Sequence, residues 1–305
     1  MVFEDYYVQP DAPDPVYDEA LVVSLVQRHV PHVGSMLEVD ESGGEARTYL
    51  FDDVILKVQR PHQLRARTSL HKEAFFLGEL EKDPLISVPR VLGFGESEGT
   101  EYICMTRMTG RPLRLVDLDS AQRHAALVEL GRTLARIHNL DQRALVASDL
   151  LPGDREPSDL RTRFAASFDQ LADALEGDTT WDRALDIRAL ADERLERTPF
   201  DVAPTSLHSN PGPEHTFIQP ENGAFIGLID FGDAYRSHPA LDLRAWPNEV
   251  DVRSLLAGYG AVAPIPASFD AVRRTGLIIN ELVRAARGMR NRHEVTTSIA
   301  QLSSP

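Results

Sequence analysis

The chain has 305 residues, 42% of them hydrophobic, which is enough for one large domain or two packed lobes. Its formal net charge of -15 opposes binding to a nucleic-acid backbone and favours a small cationic partner. Cys104 is the only cysteine, so neither an intrachain disulfide nor a thiolate zinc site can form. The first residues are acidic where a secretory signal would be basic, and no run approaches the ~18 apolar residues of a membrane span. We therefore expect a cytoplasmic protein with no membrane or nucleic-acid partner, and no pattern indicates an oligomeric state.

The first part of the chain predicts a small lobe of mixed structure. Residues 1–16 are rich in proline and aspartate and predict an irregular tail, because proline blocks a helix. Residues 17–108 predict an N-terminal lobe with one helix inserted between strands. Its predicted elements are a helix from about Tyr17, short strands over 36–58 with a turn at 41–45, a helix over 69–82, and strands over 88–95 and 101–108.

The remaining residues, 109–305, predict a mainly helical second lobe. An amphipathic helix is expected over 121–139, and further helices over 158–195 with a break at Gly177-Asp178. The pair Asn222-Gly223 lies between two apolar runs and predicts a hairpin. Helices are expected from Leu241 onward.

The most informative segment carries the sequence LHSNPGPEHTFI at 207–218, followed by LIDFGD at 228–233. A kinase-type site needs one polar residue to orient the acceptor hydroxyl and two more to hold magnesium against nucleotide phosphates. Asn210, His215 and Asp230 would take these positions, because the predicted hairpin brings them together. Asp233 is expected to face either the cleft or solvent.

A lysine in an apolar strand supports the same chemistry. Lys57 lies in the run 54–58, where burial is costly unless a carboxylate or phosphate receives the ammonium. Glu73, in the next helix, is the natural partner, and such a pair binds phosphates in kinase-like folds. The alternative is an edge-strand lysine that reaches solvent. Earlier in the chain, Ser42, Gly43 and Gly44 would let backbone amides approach phosphates, although a plain hairpin is the alternative.

The order of these motifs resembles the H-x-D-x-x-x-x-N and I-D pattern of the aminoglycoside phosphotransferase and choline kinase-like superfamily. The loop ends in His215, as it does in the branch that phosphorylates the 2″ hydroxyl of aminoglycosides. The resemblance implies an α+β, bilobal protein kinase-like fold with a nucleotide-binding N-terminal lobe. It also implies ATP or GTP, Mg²⁺ held by His215 and Asp230, and a small-molecule acceptor.

The resemblance further implies an interlobe hinge over 103–113. Backbone groups near Thr106 and Met108 would bond the nucleobase, with Met105 behind it; an ordinary strand end is the alternative. His208 and Asp242 would support the catalytic loop from within the fold.

Asn210 departs from the family pattern, which has an aspartate there. An asparagine oxygen can accept a hydrogen bond from a hydroxyl but cannot take its proton, and loss of a general base typically costs about 10²–10⁴ in rate. Three interpretations follow: an aspartate replaced deliberately, a natural enzyme of low or altered activity, and a nucleotide-binding pseudokinase.

The predicted function is an NTP-dependent phosphotransferase, impaired by Asn210, that acts on a hydroxyl of an aminoglycoside-like antibiotic or other cationic metabolite. The alternative is a catalytically dead or small-molecule-binding protein of the same fold.

Overall fold

The computed structural model describes residues 7–176 and 185–303, so the predicted break at Gly177-Asp178 lies outside the described residues. The N-terminal lobe contains a five-stranded antiparallel sheet in the order β1-β2-β3-β5-β4. The helix α1 precedes the sheet and α2 is inserted between β3 and β4. The bounds in this lobe are α1 Glu19–Gln27, β1 Glu38–Asp40, β2 Ala46–Leu50, β3 Val54–Gln59, α2 Leu70–Leu80, β4 Val91–Ser97 and β5 Thr100–Thr106.

The strand β3 is central, because Lys57 pairs with Thr48 on one side and with Ile103 on the other. The alternative of an edge-strand lysine is therefore wrong. The helix α2 begins at the Ser69 cap, whose hydroxyl accepts from the Lys72 amide. The predicted insertion of one helix among strands is confirmed.

The second lobe is mainly helical, as predicted. The bounds are β6 Arg111–Pro112, α3 Ser120–His138, α4 Gln142–Ala147, α5 Pro157–Glu176, α6 Ile187–Arg197, β7 Thr205–Leu207, β8 Thr216–Ile218, β9 Phe225–Leu228, β10 Tyr235–Ser237, α7 Glu249–Gly260, α8 Phe269–Ala286 and α9 Arg292–Ser303. Short 3₁₀ turns occur at Pro61–Gln63, Leu113–Leu115 and Pro239–Ala245. Two small sheets, β6-β8-β9 and β10-β7, accompany the helices.

The predicted hairpin is present as β8 and β9, which pair antiparallel. Gly223 has φ +72 in its turn, a conformation that glycine adopts without steric cost. None of the helices in the described ranges is long and apolar enough to cross a membrane.

The antiparallel sheet of the first lobe and the mainly helical second lobe confirm the predicted α+β bilobal fold class.

The irregular N-terminal segment lies against the N-terminal lobe. Tyr7 forms an antiparallel bridge with Arg65, and the Val8 amide donates to the Leu64 carbonyl at 2.8 Å. Further along, Asp14 is 2.8 Å from the Arg47 guanidinium. Residues 7–15 therefore lack regular structure and are docked on the N-terminal lobe.

The helices α3 and α7 pack in close backbone contact through two glycines. A Cβ on Gly258 would lie 1.9 Å from the Val128 carbonyl oxygen, and one on Gly131 would lie 2.0 Å from that of Leu255. Real Cβ atoms do not approach oxygen so closely, so the spacing of the helices depends on both glycines.

Gly258→Ala should lower the free energy of unfolding by about 3 kcal/mol, because the helices must separate to admit the methyl group. The matched control is Gly78→Ala in α2, where a Cβ meets nothing within 4 Å. That variant should raise the free energy of unfolding by about 0.5–1 kcal/mol through helix propensity. Equal urea midpoints for the two variants would contradict this packing.

Candidate active site

A cleft of about 880 Å³ lies between the sheet of the N-terminal lobe and the hairpin of the second lobe. Its volume is in the range that binds small molecules and cofactors. The predicted site residues that line it are Ser42, Gly43, Gly44, Lys57, Glu73, Met105, Met108, His215 and Asp230. The structure thus brings together residues from most of the chain.

The ammonium group of Lys57 joins the two lobes. Its Nζ donates to Glu73 Oε2 at 2.8 Å and Oε1 at 3.1 Å, and to Asp230 Oδ1 at 2.6 Å. Burial by itself lowers the pKa of Lys57, but the charges of Asp230 and Glu73 outweigh it and the pKa is raised. The same attraction to Lys57 lowers the pKa of Asp230. Lys57 and Asp230 are therefore both charged at neutral pH.

Glu73 also anchors the chain after Asp230. It is almost fully buried and accepts the Phe231 amide at 3.1 Å, in addition to Lys57. The helix α2 is thereby fixed to the segment that carries Asp230.

His215 and Asp230 face each other across the cleft floor. His215 Nδ1 lies 2.8 Å from the Asn210 carbonyl oxygen, which can only accept, so Nδ1 carries the proton. In the neutral ring, Nε2 then presents a lone pair to Asp230 Oδ2, 3.3 Å away. Two lone pairs that face each other in this way suit a bound cation.

The candidate metal donors are one imidazole nitrogen and one carboxylate. Over residues 7–176 and 185–303, no group of three or more His, Cys, Asp or Glu side chains could hold a metal ion. Mg²⁺ usually takes one or two protein ligands and completes its octahedron with phosphates and water. His215 Nε2 and Asp230 could supply those two ligands.

The loop that carries Asn210 is held by a buried carboxylate. Asp242, which has no exposed surface, accepts from His138 Nε2 at 2.9 Å, from the His208 amide at 3.0 Å and from the Ser209 amide at 2.7 Å. Burial alone raises the pKa of Asp242, but these hydrogen bonds and the nearby histidines outweigh it and the pKa is lowered. The carboxylate stays charged, and it holds Ser209 at a left-handed φ of +85.

His208 is buried within the same loop. Its Nε2 donates to the Ile229 carbonyl at 2.9 Å and its Nδ1 accepts from the Asn210 amide at 3.3 Å. Burial lowers the pKa of His208 to about 4, so the ring is neutral. These contacts tie the Asn210 loop to the strand that leads to Asp230, which is a supporting arrangement.

The hinge over 103–113 and the glycine-rich loop over 41–44 differ in detail from the expectation. The Thr106 amide donates to the Arg90 carbonyl at 2.9 Å, and its hydroxyl accepts from the Arg90 amide at 2.8 Å. The Thr106 amide is thus engaged within the sheet, while Met105 and Met108 line the cleft. The Ser42 amide donates to Asp40 Oδ1 at 2.8 Å, whereas Gly43 is required sterically, since a Cβ there would lie 2.7 Å from the Ala46 carbonyl oxygen.

Several residues that line the cleft were not predicted from the sequence. They include Tyr7, Glu45, Arg65 and Thr68. Asp233, for which the sequence left two orientations open, also lines the cleft. No local motif marks Arg65 or Thr68, which lie in the loop before α2. Their position between Lys57 and Glu73 is the one signal that could have indicated them.

The buried His208 predicts a pH dependence of stability. Unfolding raises its pKa from about 4 towards the ordinary value near 6.5. Between these values the unfolded chain binds a proton that the folded chain does not, so the free energy of unfolding falls as the pH falls, by about 3 kcal/mol from this residue. His208→Gln should therefore flatten the plot of unfolding free energy against pH between 4 and 6.5. A slope identical to that of the unmutated chain would show that His208 does not titrate in this way.

The family model described as "Phosphotransferase enzyme family" matches residues 37–246. Among solved structures, the macrolide 2'-phosphotransferase MphH from Brachybacterium faecium, in its apo form, has a TM-score of 0.67 and 18% identity, covering 94% of this chain and 98% of that chain. A macrolide 2'-phosphotransferase type I has a TM-score of 0.64 and 17% identity, covering 96% of this chain and 100% of that chain. The GDP complex of aminoglycoside 2'-phosphotransferase-IIIa has a TM-score of 0.61 and 14% identity, covering 94% and 96% of the two chains.

At these identities the structural matches show a shared fold. No curated protein sequence matches the chain. The family model spans most of the sequence, from β1 to the turn after Asp242, and so includes every residue named above as lining the cleft except Tyr7. The chain therefore belongs to the phosphotransferase enzyme family, in agreement with the resemblance of its motifs.

Proposed function

We propose that the protein transfers a phosphoryl group from ATP or GTP to a hydroxyl of a small cationic molecule of aminosugar type. The observation that carries the proposal is the set Lys57, Glu73 and Asp230, joined by hydrogen bonds of 2.6 to 3.1 Å across the cleft. A protein that bound only a cationic metabolite would have no need for this lysine and its two carboxylates. Structures of family members with GDP, ATP and ADP bound support the use of a nucleotide.

Each side chain of the cleft has a distinct role in this proposal. Lys57, held by Glu73, would bind the nucleotide phosphates. His215 Nε2 and Asp230 would hold Mg²⁺, which when bound neutralises charge on the phosphates. Ser42, Gly43 and Gly44 would form the cover over the phosphates. Met105 and Met108 would contact the nucleobase, together with backbone groups near Thr106.

Asn210 would orient the acceptor hydroxyl. Its carbonyl oxygen accepts from His215, which lines the cleft, and its own side chain is exposed to solvent. The amide oxygen can accept from a hydroxyl, but the proton must leave by another route. Because the transition state of phosphoryl transfer is loose, we expect slow turnover instead of complete loss.

A second candidate is a nucleotide-binding protein without turnover. The absence of a carboxylate at position 210 is the observation that favours it. This candidate would use the same cleft, nucleotide and metal as the phosphotransferase. The two candidates differ only in the rate of the chemical step.

The net charge of -15 supports a cationic acceptor. Family members of the same fold were solved with streptomycin, gentamicin and kanamycin, and others are macrolide phosphotransferases. Asp169 and Asp173 of α5 pair with Arg188, and Asp159 accepts the amides of residues 155 and 156. These aspartates are already engaged, so α5 does not offer a preformed acidic pocket. We attribute the proposed attraction for a cation to the summed electrostatic field of the chain.

The affinity for an aminoglycoside should fall roughly three- to tenfold between 50 and 500 mM salt, because added ions screen the attraction between exposed charges. A thermal-shift panel of aminoglycosides, macrolides and neutral or anionic metabolites would first identify the binder. If neutral or anionic compounds stabilise the protein and no cationic compound does, the acceptor class is wrong.

Asn210→Asp should raise kcat by about 10²–10⁴ on an acceptor already shown to bind, since it restores a carboxylate beside the substrate hydroxyl. Nucleotide affinity should hardly change, because other residues bind the nucleotide. Asn210→Ala is the control and should not gain activity. If Asn210→Asp leaves turnover at background, the second candidate, a nucleotide-binding protein without turnover, is favoured.

A further inference from the structure

Arg65 bridges the two sides of the cleft at the end where phosphates would lie. Its Nη2 donates to Asp233 Oδ2 at 2.9 Å, and its Nε bonds to Glu45. Glu45 directly follows the glycine-rich loop in the N-terminal lobe, whereas Asp233 lies three residues after Asp230 in the second lobe. One guanidinium therefore connects the loop that covers the cleft to the segment that carries the metal candidate.

Thr68 strengthens this connection. Its Oγ1 lies 2.9 Å from Asp233 Oδ1 and 3.1 Å from Glu45 Oε1. Two carboxylates that share one hydroxyl repel each other, and the guanidinium of Arg65 offsets that repulsion. Burial raises the pKa of Glu45, and the charge of Asp233 acts in the same direction.

The three charged groups are partly shielded from solvent. The side chains of Arg65, Glu45 and Asp233 are 29%, 19% and 30% exposed. A guanidinium held by two carboxylates in such a setting is worth more than a single exposed surface pair.

The backbone beside Arg65 is held by the N-terminal segment. Tyr7 bridges to Arg65, the Val8 amide donates to the Leu64 carbonyl at 2.8 Å, and Tyr7 itself lines the cleft. The segment is also fastened at its other end, where Asp14 meets Arg47 at 2.8 Å.

The glycine-rich loop shares these anchors. Glu41, at the start of the loop, is 2.6 Å from Arg47, and Arg60 Nη1 donates to the Gly43 carbonyl at 3.0 Å. The N-terminal segment and the glycine-rich loop thus share Arg47 of β2 as an anchor.

We propose that Arg65 is a positioning residue that holds the glycine-rich loop over the nucleotide phosphates by bridging Glu45 to Asp233, with residues 7 and 8 holding Arg65 in place. The proposal rests on the proposed nucleotide-dependent function. In this proposal the N-terminal segment contributes to nucleotide binding through Arg65. The bridge lies at the end of the cleft where the phosphates would bind. Its loss should therefore weaken the binding of ligands that carry phosphates and leave the contacts to the nucleobase unchanged.

The test compares Arg65→Gln with the unmutated chain in binding Mg²⁺-ATP and Mg²⁺-GTP, and in binding the corresponding nucleosides by competition. Arg65→Gln should weaken binding of the preferred triphosphate about tenfold or more and leave nucleoside binding unchanged. Arg132→Gln, which removes a surface pair with Glu129 on α3, is the matched control and should change neither. Hydrogen exchange of residues 41–45 gives a second measurement, because triphosphate should protect this loop in the unmutated chain and not in Arg65→Gln.

Two variants of Val8 separate the role of the N-terminal segment from general stability. Val8→Pro removes the amide that donates to Leu64, whereas Val8→Ala keeps it. Val8→Pro should weaken triphosphate binding about threefold, and Val8→Ala should bind as the unmutated chain does.

The possible outcomes distinguish this inference from the function on which it rests. If the unmutated chain binds triphosphate and Arg65→Gln binds it equally well, the inference alone is wrong. If Arg65→Gln weakens the binding of triphosphate and of nucleoside equally, the inference is also wrong, because that result indicates a general loss of structure. If the unmutated chain binds no nucleotide, the proposed function fails and the inference fails with it.

Discussion

A buried ammonium group in the central strand of the N-terminal sheet is the constraint on which the cleft depends. The Lys57 side chain is 15% exposed, and a lone charge at that depth would be strongly unfavourable. It is stabilised by Glu73 from α2 and by Asp230 from the second lobe. Removal of either carboxylate would leave the other charges poorly compensated, so the position of α2, the sheet and the strand before Asp230 are determined together.

A second buried charge organises the loop that carries Asn210. Asp242 joins α3, through His138, to the backbone of His208 and Ser209. One non-glycine residue in each network has a positive φ: Ser209, beside Asp242, at +85, and Asp230, beside Lys57, at +70. Such conformations persist where surrounding contacts hold them, and they commonly occur at functional sites. The two networks thus fix Asn210, His215 and Asp230 relative to Lys57 before any ligand enters.

The sequence predicted the parts of this arrangement that depend on local patterns. The apolar run around Lys57, the spacing to Glu73 and the Asn222-Gly223 hairpin each have a short-range physical signal, and the structure brings these residues to one cleft. Long-range ion pairs have no such signal. Arg65 meets Asp233 across 168 positions of the chain, so neither residue could be recognised alone. The docking of residues 7–15 was missed for the same reason, since its anchors Leu64, Arg65 and Arg47 lie on other elements.

The cleft around Lys57 is proposed to bind a nucleotide together with magnesium. Calorimetric titration of the unmutated chain and of Lys57→Ala with ATP and GTP, with and without Mg²⁺, measures this binding. We expect saturable binding of at least one of the two nucleotides, and we expect this binding to depend on Mg²⁺ and to be strongly weakened in Lys57→Ala. Absence of any Mg²⁺-dependent nucleotide binding by the unmutated chain, or unchanged binding by Lys57→Ala, would contradict it.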